Sequence, residues 1–170
     1  MRKSKGLALL GVSLLAAAGL YARPSGAKES KPSLTALDYA EIQQLYSHYS
    51  HYLDSGNAVK YADLFTPDAV FTTNLPAFGT IRGQKELAAL AVRVGSPPPF
   101  VKPVHMANTV MIDPSPEGAT GSAYLLAASA GEAGTQPRFT TYVYSDTFVK
   151  TGEGWRFKTR VLHQATPAKR

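Results

Sequence analysis

Residues 42–56 read IQQLYSHYSHYLDSG. Ile42, Leu45, Tyr46, Tyr49, Tyr52 and Leu53 recur at the spacing of one helix face, so the stretch predicts a helix with an aromatic inner face. Its ends are marked as well. Thr35 followed by Asp38 has the form of a capping box, in which the hydroxyl satisfies early helix N–H groups. Gly56 can take the left-handed conformation that stops a helix. Asp54 then stands at the end of the core-facing stripe. A carboxylate there either bonds backbone N–H groups or serves a pocket.

Working outward, Asn57 can cap a second, short helix from Ala58 to Phe65, with Tyr61, Leu64 and Phe65 inward, closed by Thr66-Pro67-Asp68. Ala69–Thr73 is β-rich. A turn around Pro76 leads to a short strand, Phe78–Ile81. A third helix, Lys85 to Val94, has Leu87, Leu90, Ala91 and Val94 on one face. Gly95-Ser96-Pro97-Pro98-Pro99 is a rigid loop, either a linker or a cover for a pocket mouth. The C-terminal part predicts four antiparallel strands, 103–112, 119–130, 138–150 and 154–163. Asp113–Gly118 and Thr151–Gly154 form the tight turns, and Gly131–Pro137 is a looser connection. Helices followed by a meander of long strands imply an α+β domain, with the helices on the concave face of a curved sheet. The space between them is a core or a cavity.

Of the 170 residues, 44% are apolar and 18% charged, which suffices for a core. The net charge of +6 is gathered at the start of the chain. Residues 1–27 hold Arg2, Lys3, Lys5 and Arg23 and no acid, and the remainder is nearly balanced. The basicity therefore gives no reason to expect nucleic acid as a partner. A basic stretch, an apolar run from Leu7 to Leu20 and then small residues form a secretory signal pattern. The apolar run falls short of the roughly 20 residues of a membrane span. The expectation is a signal peptide over 1–27, a flexible lead-in over 28–34 and a domain over 35–165. That domain would be periplasmic or secreted, and free of the membrane once the signal is removed. An uncleaved anchor is the alternative. The chain has no Cys, so disulfides, thiol chemistry and a Cys-linked lipid are excluded.

Three stretches carry a family resemblance: Ile42-Gln43-Gln44-Leu45-Tyr46 followed by Asp54, the segment Ala62–Ala69, and Tyr144-Ser145-Asp146 through Gly154-Trp155-Arg156-Phe157 to Arg160. Together they resemble the SnoaL-like branch of the nuclear transport factor 2-like superfamily, which includes scytalone dehydratase and hexachlorocyclohexane dehydrochlorinase. The resemblance spans roughly 34–163. It implies a cone-shaped α+β barrel, its curved, mixed but mostly antiparallel sheet wrapped around three N-terminal helices. It also implies a cofactor-free protein that associates with itself as a dimer or trimer. The fold alone does not give the activity, since it hosts isomerases, dehydratases, hydrolases and binding modules.

In those relatives an Asp at the end of the first helix faces a His on a middle strand. The matching residues are Asp54 and His105. A carboxylate on one imidazole nitrogen fixes the tautomer and leaves the other nitrogen as a base. Singly, His105 can equally be a buried structural histidine and Asp54 a helix-end acid. Arg160 matches a residue that holds the departing anion in the dehydrochlorinase, a task suited to guanidinium; it can equally pair with Asp54 or Asp146. Tyr49 is either a phenol donor to a substrate carbonyl or a core aromatic. Asn108, Phe71 and Ser129 are candidate substrate contacts. Ser129 stands near the place of a second histidine that scytalone dehydratase uses and this chain lacks. His48, His51 and Asp54 are spaced by three, which drifts around a helix, so no metal site is expected.

The reading that follows is an exported, cofactor-free lyase or isomerase acting on a small apolar ring compound. His105 would be the base, Asp54 its orienter, and Arg160 and Tyr49 helpers. The alternatives are a non-catalytic protein that binds an apolar ligand or a protein partner, and a site in which Asp54 or Tyr49 acts without His105.

Overall fold

In a computed structural model that describes residues 32–76, 78–96, 102–131 and 135–165, helix α1 runs from Ala36 to Ser55. The expected signal peptide, most of the lead-in, the Pro97-Pro98-Pro99 stretch and the middle of the Gly131–Pro137 connection lie outside the described residues. The capping box forms: Thr35 N–H donates to Asp38 Oδ2 at 2.8 Å, and Asp38 N–H donates to Thr35 Oγ1 at 3.2 Å. Gly56 ends the helix at φ 69°, in the region that glycine enters without steric penalty. Asp38 also ties α1 to the last hairpin, because Lys150 Nζ and Trp155 Nε1 donate to its Oδ1 at 2.7 and 2.9 Å.

The remaining elements are α2 (Ala58–Ala62), β1 (Phe65–Thr73), β2 (Thr80–Arg82), α3 (Gly83–Gly95), β3 (Val104–Ser115), β4 (Gly118–Ser129), β5 (Arg138–Thr151) and β6 (Gly154–Gln164). The second helix is shorter than the sequence predicts, and Phe65 opens a strand instead. The reason is a parallel pairing across the sheet. Phe65 aligns with Phe157 of β6, and the ladder resumes only at Val70 with Thr159. The register shifts over Thr66–Ala69 between these points. Pro67, which has no N–H to give a ladder, sits in that stretch.

The six strands form one mixed sheet in the order β2-β1-β6-β5-β4-β3. Only β1 and β6 are parallel. The sheet is open, with β2 and β3 at its edges, so the fold is an α+β cone and not a closed barrel. Helix α1 packs on β3 and β6, and α3 on α1 and β1. Where the ends of α1 and α3 meet, Gly95 lies so close to Gly56 that a Cβ on it would fall 2.3 Å from the Gly56 Cα.

Alternation along β5 sends Arg138, Thr140, Tyr142, Tyr144, Asp146 and Phe148 to the inner face. Cross-strand pairing puts them opposite Ser129, Ala127, Leu125, Ala123, Gly121 and Ala119 of β4. On the other side, Tyr144 meets Leu162, Asp146 meets Arg160 and Phe148 meets Phe157 of β6. This inner face runs from an exposed Arg138 at one end to the buried Phe148 at the other. The buried end is the core, built from Ile42, Tyr46, Phe65, Leu87, Phe148 and Phe157. The outer face exposes Val104, Met106 and Tyr124.

Candidate functional site

Toward the open end, the inner face and the helices enclose a cavity of about 670 Å³, within the range of about 300–1,000 Å³ typical of small-molecule sites. Leu53 of α1, Leu90 and Val94 of α3, Phe71 of β1 and Leu125 and Leu162 of the sheet give it apolar walls. Its polar groups are few: His105, the phenols of Tyr49, Tyr142 and Tyr144, Thr73, Thr140, Ser129, Arg93 and Arg138. Among the described residues, no carboxylate lines it.

His105 enters from β3, an edge strand. One row of N–H groups on such a strand lacks a ladder partner, and Asp54 supplies one. The His105 backbone N–H donates to Asp54 Oδ2 at 2.9 Å, while the imidazole Nδ1 lies 2.5 Å from Asp54 Oδ1. One carboxylate thus grips both the backbone and the ring of the same residue, which fixes the ring's orientation. An ionised carboxylate only accepts, so Nδ1 is the donor in this contact. The His105 and Asp54 side chains are 12% and 20% exposed. His105 lines the cavity and Asp54 stands behind it.

The sequence also named Tyr49, Phe71 and Ser129, and all three line the cavity. Asn108 does not. It adjoins a bulge in β3, where the pairing shifts between Asn108 and Met111 and Thr109 takes φ 53°. Its side chain is exposed and donates to the Met106 carbonyl at 3.3 Å. Asn108 is therefore corrected from substrate contact to outer-face residue.

Arg160 takes the ion-pair alternative, with Asp146 as its partner. It is fully buried and lies one rung deeper than Tyr144, outside the cavity lining. Its Nε and Nη2 each donate to an Asp146 oxygen at 2.8 Å, and Tyr46 donates its hydroxyl to the same carboxylate at 2.6 Å. The guanidinium carbon lies 4.0 Å from the Tyr49 ring centroid and 3.9 Å from that of Tyr144, within cation–π range. Burial pulls the Arg160 pKa down, but Asp146 outweighs burial and holds it well above the ordinary value. The rings of Tyr49 and Tyr144 thus stand between the cavity and Arg160, which lies behind them in its ion pair.

The sequence did not single out Tyr144, Arg93 or Arg138. Burial foremost, with Tyr49 adding and Arg160 opposing, raises the Tyr144 phenol well above its ordinary value. It stays neutral and able to donate. The strict alternation Arg138-Thr140-Tyr142-Tyr144 was the signal that could have found Tyr144 and Arg138, since it assigns all four to one strand face; Arg93 lies on α3 outside that pattern. His48 stacks on Tyr52 at 5.2 Å and its Nε2 lies 3.0 Å from Gln44 Nε2. His51 and His163 are exposed. No group of three or more metal-ligating side chains occurs among the described residues.

A family model described as SnoaL-like domain matches residues 34–161. No curated protein sequence is significantly similar to the chain. Among solved structures, a variant of Rv3472, a Mycobacterium tuberculosis protein of unknown function, superposes with a TM-score of 0.68 at 21% identity, covering 79% of this chain and 80% of that one. ActVI-ORFA from Streptomyces coelicolor gives 0.65 at 21% identity, covering 76% and 98%. A proposed scytalone dehydratase from Novosphingobium aromaticivorans gives 0.64 at 24% identity, covering 76% and 85%. At these identities the structural likeness speaks for the fold.

Proposed function

The chain belongs to the SnoaL-like domain family, whose members are often cofactor-free isomerases and dehydratases, and on that premise we propose that it is a cofactor-free lyase or isomerase of a small, mostly apolar ring compound. The observation that carries this is the double grip of Asp54 on His105 at the wall of an apolar cavity. His105 Nε2 takes a proton from a carbon next to the leaving group or carbonyl. The C–H electron pair becomes the new double bond. In an elimination the leaving group departs with its bonding electrons; in an isomerisation the proton returns at another carbon. Tyr49 and Tyr144 line the same cavity, and the Tyr144 phenol, held well above its ordinary value mainly by burial, is a donor for a substrate oxygen. Asp54 stays bonded to Nδ1 and holds the ring in place as His105 takes the proton. Proton transfer of this kind accelerates a reaction by about 10²–10⁴-fold.

The absence of a second histidine favours a single base over a two-histidine dehydration. Ser129 lines the cavity near that position and can donate a hydrogen bond, but it is no base at neutral pH. The test is solvent deuterium exchange into a panel of cyclic ketones and β-hydroxy ketones, followed by proton NMR. The protein should catalyse exchange or loss of water for at least one of them, and His105→Gln should slow this by about 10²–10⁴-fold. Unchanged turnover in His105→Gln and Asp54→Asn would remove the base assignment. A panel-wide absence of turnover with retained ring binding would favour the binding-only alternative.

A further inference from the structure

The cavity mouth carries positive charge that the proposed elimination does not use. Arg138 occupies the outermost rung of the inner sheet face, opposite Ser129 and one inward-facing position beyond Thr140. Thr140 aligns through Ala127 with His105. Two residues along a strand span about 7 Å, so a fully extended arginine at 138 can reach over the space in front of the imidazole. Arg93 approaches from α3, its guanidinium carbon 4.5 Å from the Phe78 ring centroid. Both arginines are exposed, and both line the cavity. Among the described residues, no acid pairs with either one. Asp54, behind His105, has both oxygens engaged by that residue.

Arg160, Lys150, Lys158 and Arg156 each meet a carboxylate; of the described cations without one, such as Lys60, Arg82, Lys85 and Lys102, only Arg93 and Arg138 line the cavity. Arg93 and Arg138 are cations beside an apolar cavity that contains no balancing acid among the described residues. Guanidinium presents paired N–H donors that match a carboxylate in a planar, two-point contact. We propose that Arg93 and Arg138 form an anion clamp at the cavity mouth, and that the ligand is a ring compound bearing a carboxylate, with its ring against Phe71, Leu90 and Leu125 and its acid group at the opening. This rests on the ring-binding reading above and narrows its substrate class. The clamp also sets direction: the acid stays at the wet end and the ring is presented to His105.

The test measures binding and needs no turnover, so its result is separate from that of the elimination reading. Naphthoate and its neutral isostere naphthamide are titrated into the full chain by isothermal calorimetry at low salt. Naphthoate should bind about tenfold tighter than naphthamide, and added salt should shrink the ratio. Arg93→Gln and Arg138→Gln should each reduce the ratio severalfold, and the double variant should bring it near one. Arg138→Lys, which keeps charge but loses the two-point contact, should retain part of it. Circular dichroism confirms that each exposed-site variant is folded. Equal affinity for the two probes, no naphthoate binding up to millimolar concentration, or a ratio unchanged in the double variant would each overturn the clamp.

Discussion

The inner face of the sheet has two ends, and each carries an arginine. At the closed end Arg160 is buried, paired with Asp146 and walled by Tyr46, Tyr49, Tyr144 and Phe157. At the open end Arg138 has no carboxylate among the described residues and faces solvent and cavity. Both lie on the same side of the sheet. The difference teaches that a guanidinium's role here is set by which rung it occupies. Deep in the cone a charge must be paired and hydrogen-bonded, because an isolated one is too costly to bury. At the mouth, water can solvate it until a ligand arrives. Between the two, the Tyr49 and Tyr144 rings form a floor with a structural cation below and the cavity above.

The largest expected effect lies at the closed end. Arg160→Met leaves Asp146 buried with only the Tyr46 hydroxyl, and should lower unfolding stability in urea by about 3–5 kcal/mol. Arg138→Gln should stay within about 0.5 kcal/mol of wild type. A loss below 1 kcal/mol for Arg160→Met would mean that the buried pair is not what separates the two ends, taking ~3 kcal/mol as the floor for breaking such a pair. The next effect probes the open end. A Cβ at Gly95 would meet the Gly56 backbone at 2.3 Å. Overpacking of this kind costs about 1–3 kcal/mol, offset by up to ~1 kcal/mol of helix propensity. Gly95→Ala should therefore destabilise mildly, yet shift the His105 imidazole resonances in NMR by pushing the end of α1 away. Unmoved resonances would show that the helix contact does not position the Asp54–His105 pair.

The smallest effect appears only in acid. Lys150 first, then Thr35 and Trp155, hold the Asp38 carboxyl well below its ordinary value, against a small opposing effect of burial. A carboxylate with a depressed folded pKa stabilises above its unfolded pKa and loses that contribution as pH falls toward the folded one. Stability should thus decline below the ordinary Asp pKa of about 3.9. Asp38→Asn, which has no proton to take up, should decline less steeply. Parallel acid limbs for the two proteins in pH-dependent melts would break the assignment.

Much of this was legible along the chain. The stripe from Ile42 to Leu53, the Thr35–Asp38 box and the Gly56 stop fixed α1 closely. The four long strands fell within a few residues of their expected limits. Asp54 and His105 could be named as a pair only through the family resemblance, since nothing local links residues 51 positions apart. The short second helix was overextended because Leu64 and Phe65 also fit a helical face. Their strand assignment comes from β6, whose Phe157 N–H donates to the Leu64 carbonyl at 2.9 Å.

By itself, then, the sequence determined the elements and the face that each turns inward, because periods of two and 3.6 residues are written in consecutive side chains. It also supplied an acid, an imidazole and two kinds of arginine environment, without saying which was which. Only the tertiary structure decided that Asp54 grips His105 twice, that Arg160 is a core ion pair and that Arg138 lines a cavity. Those outcomes depend on cross-strand register and on depth within the cone. Register and depth arise from contacts between distant segments, and the dielectric they create decides whether a charge is a strut or a binding group.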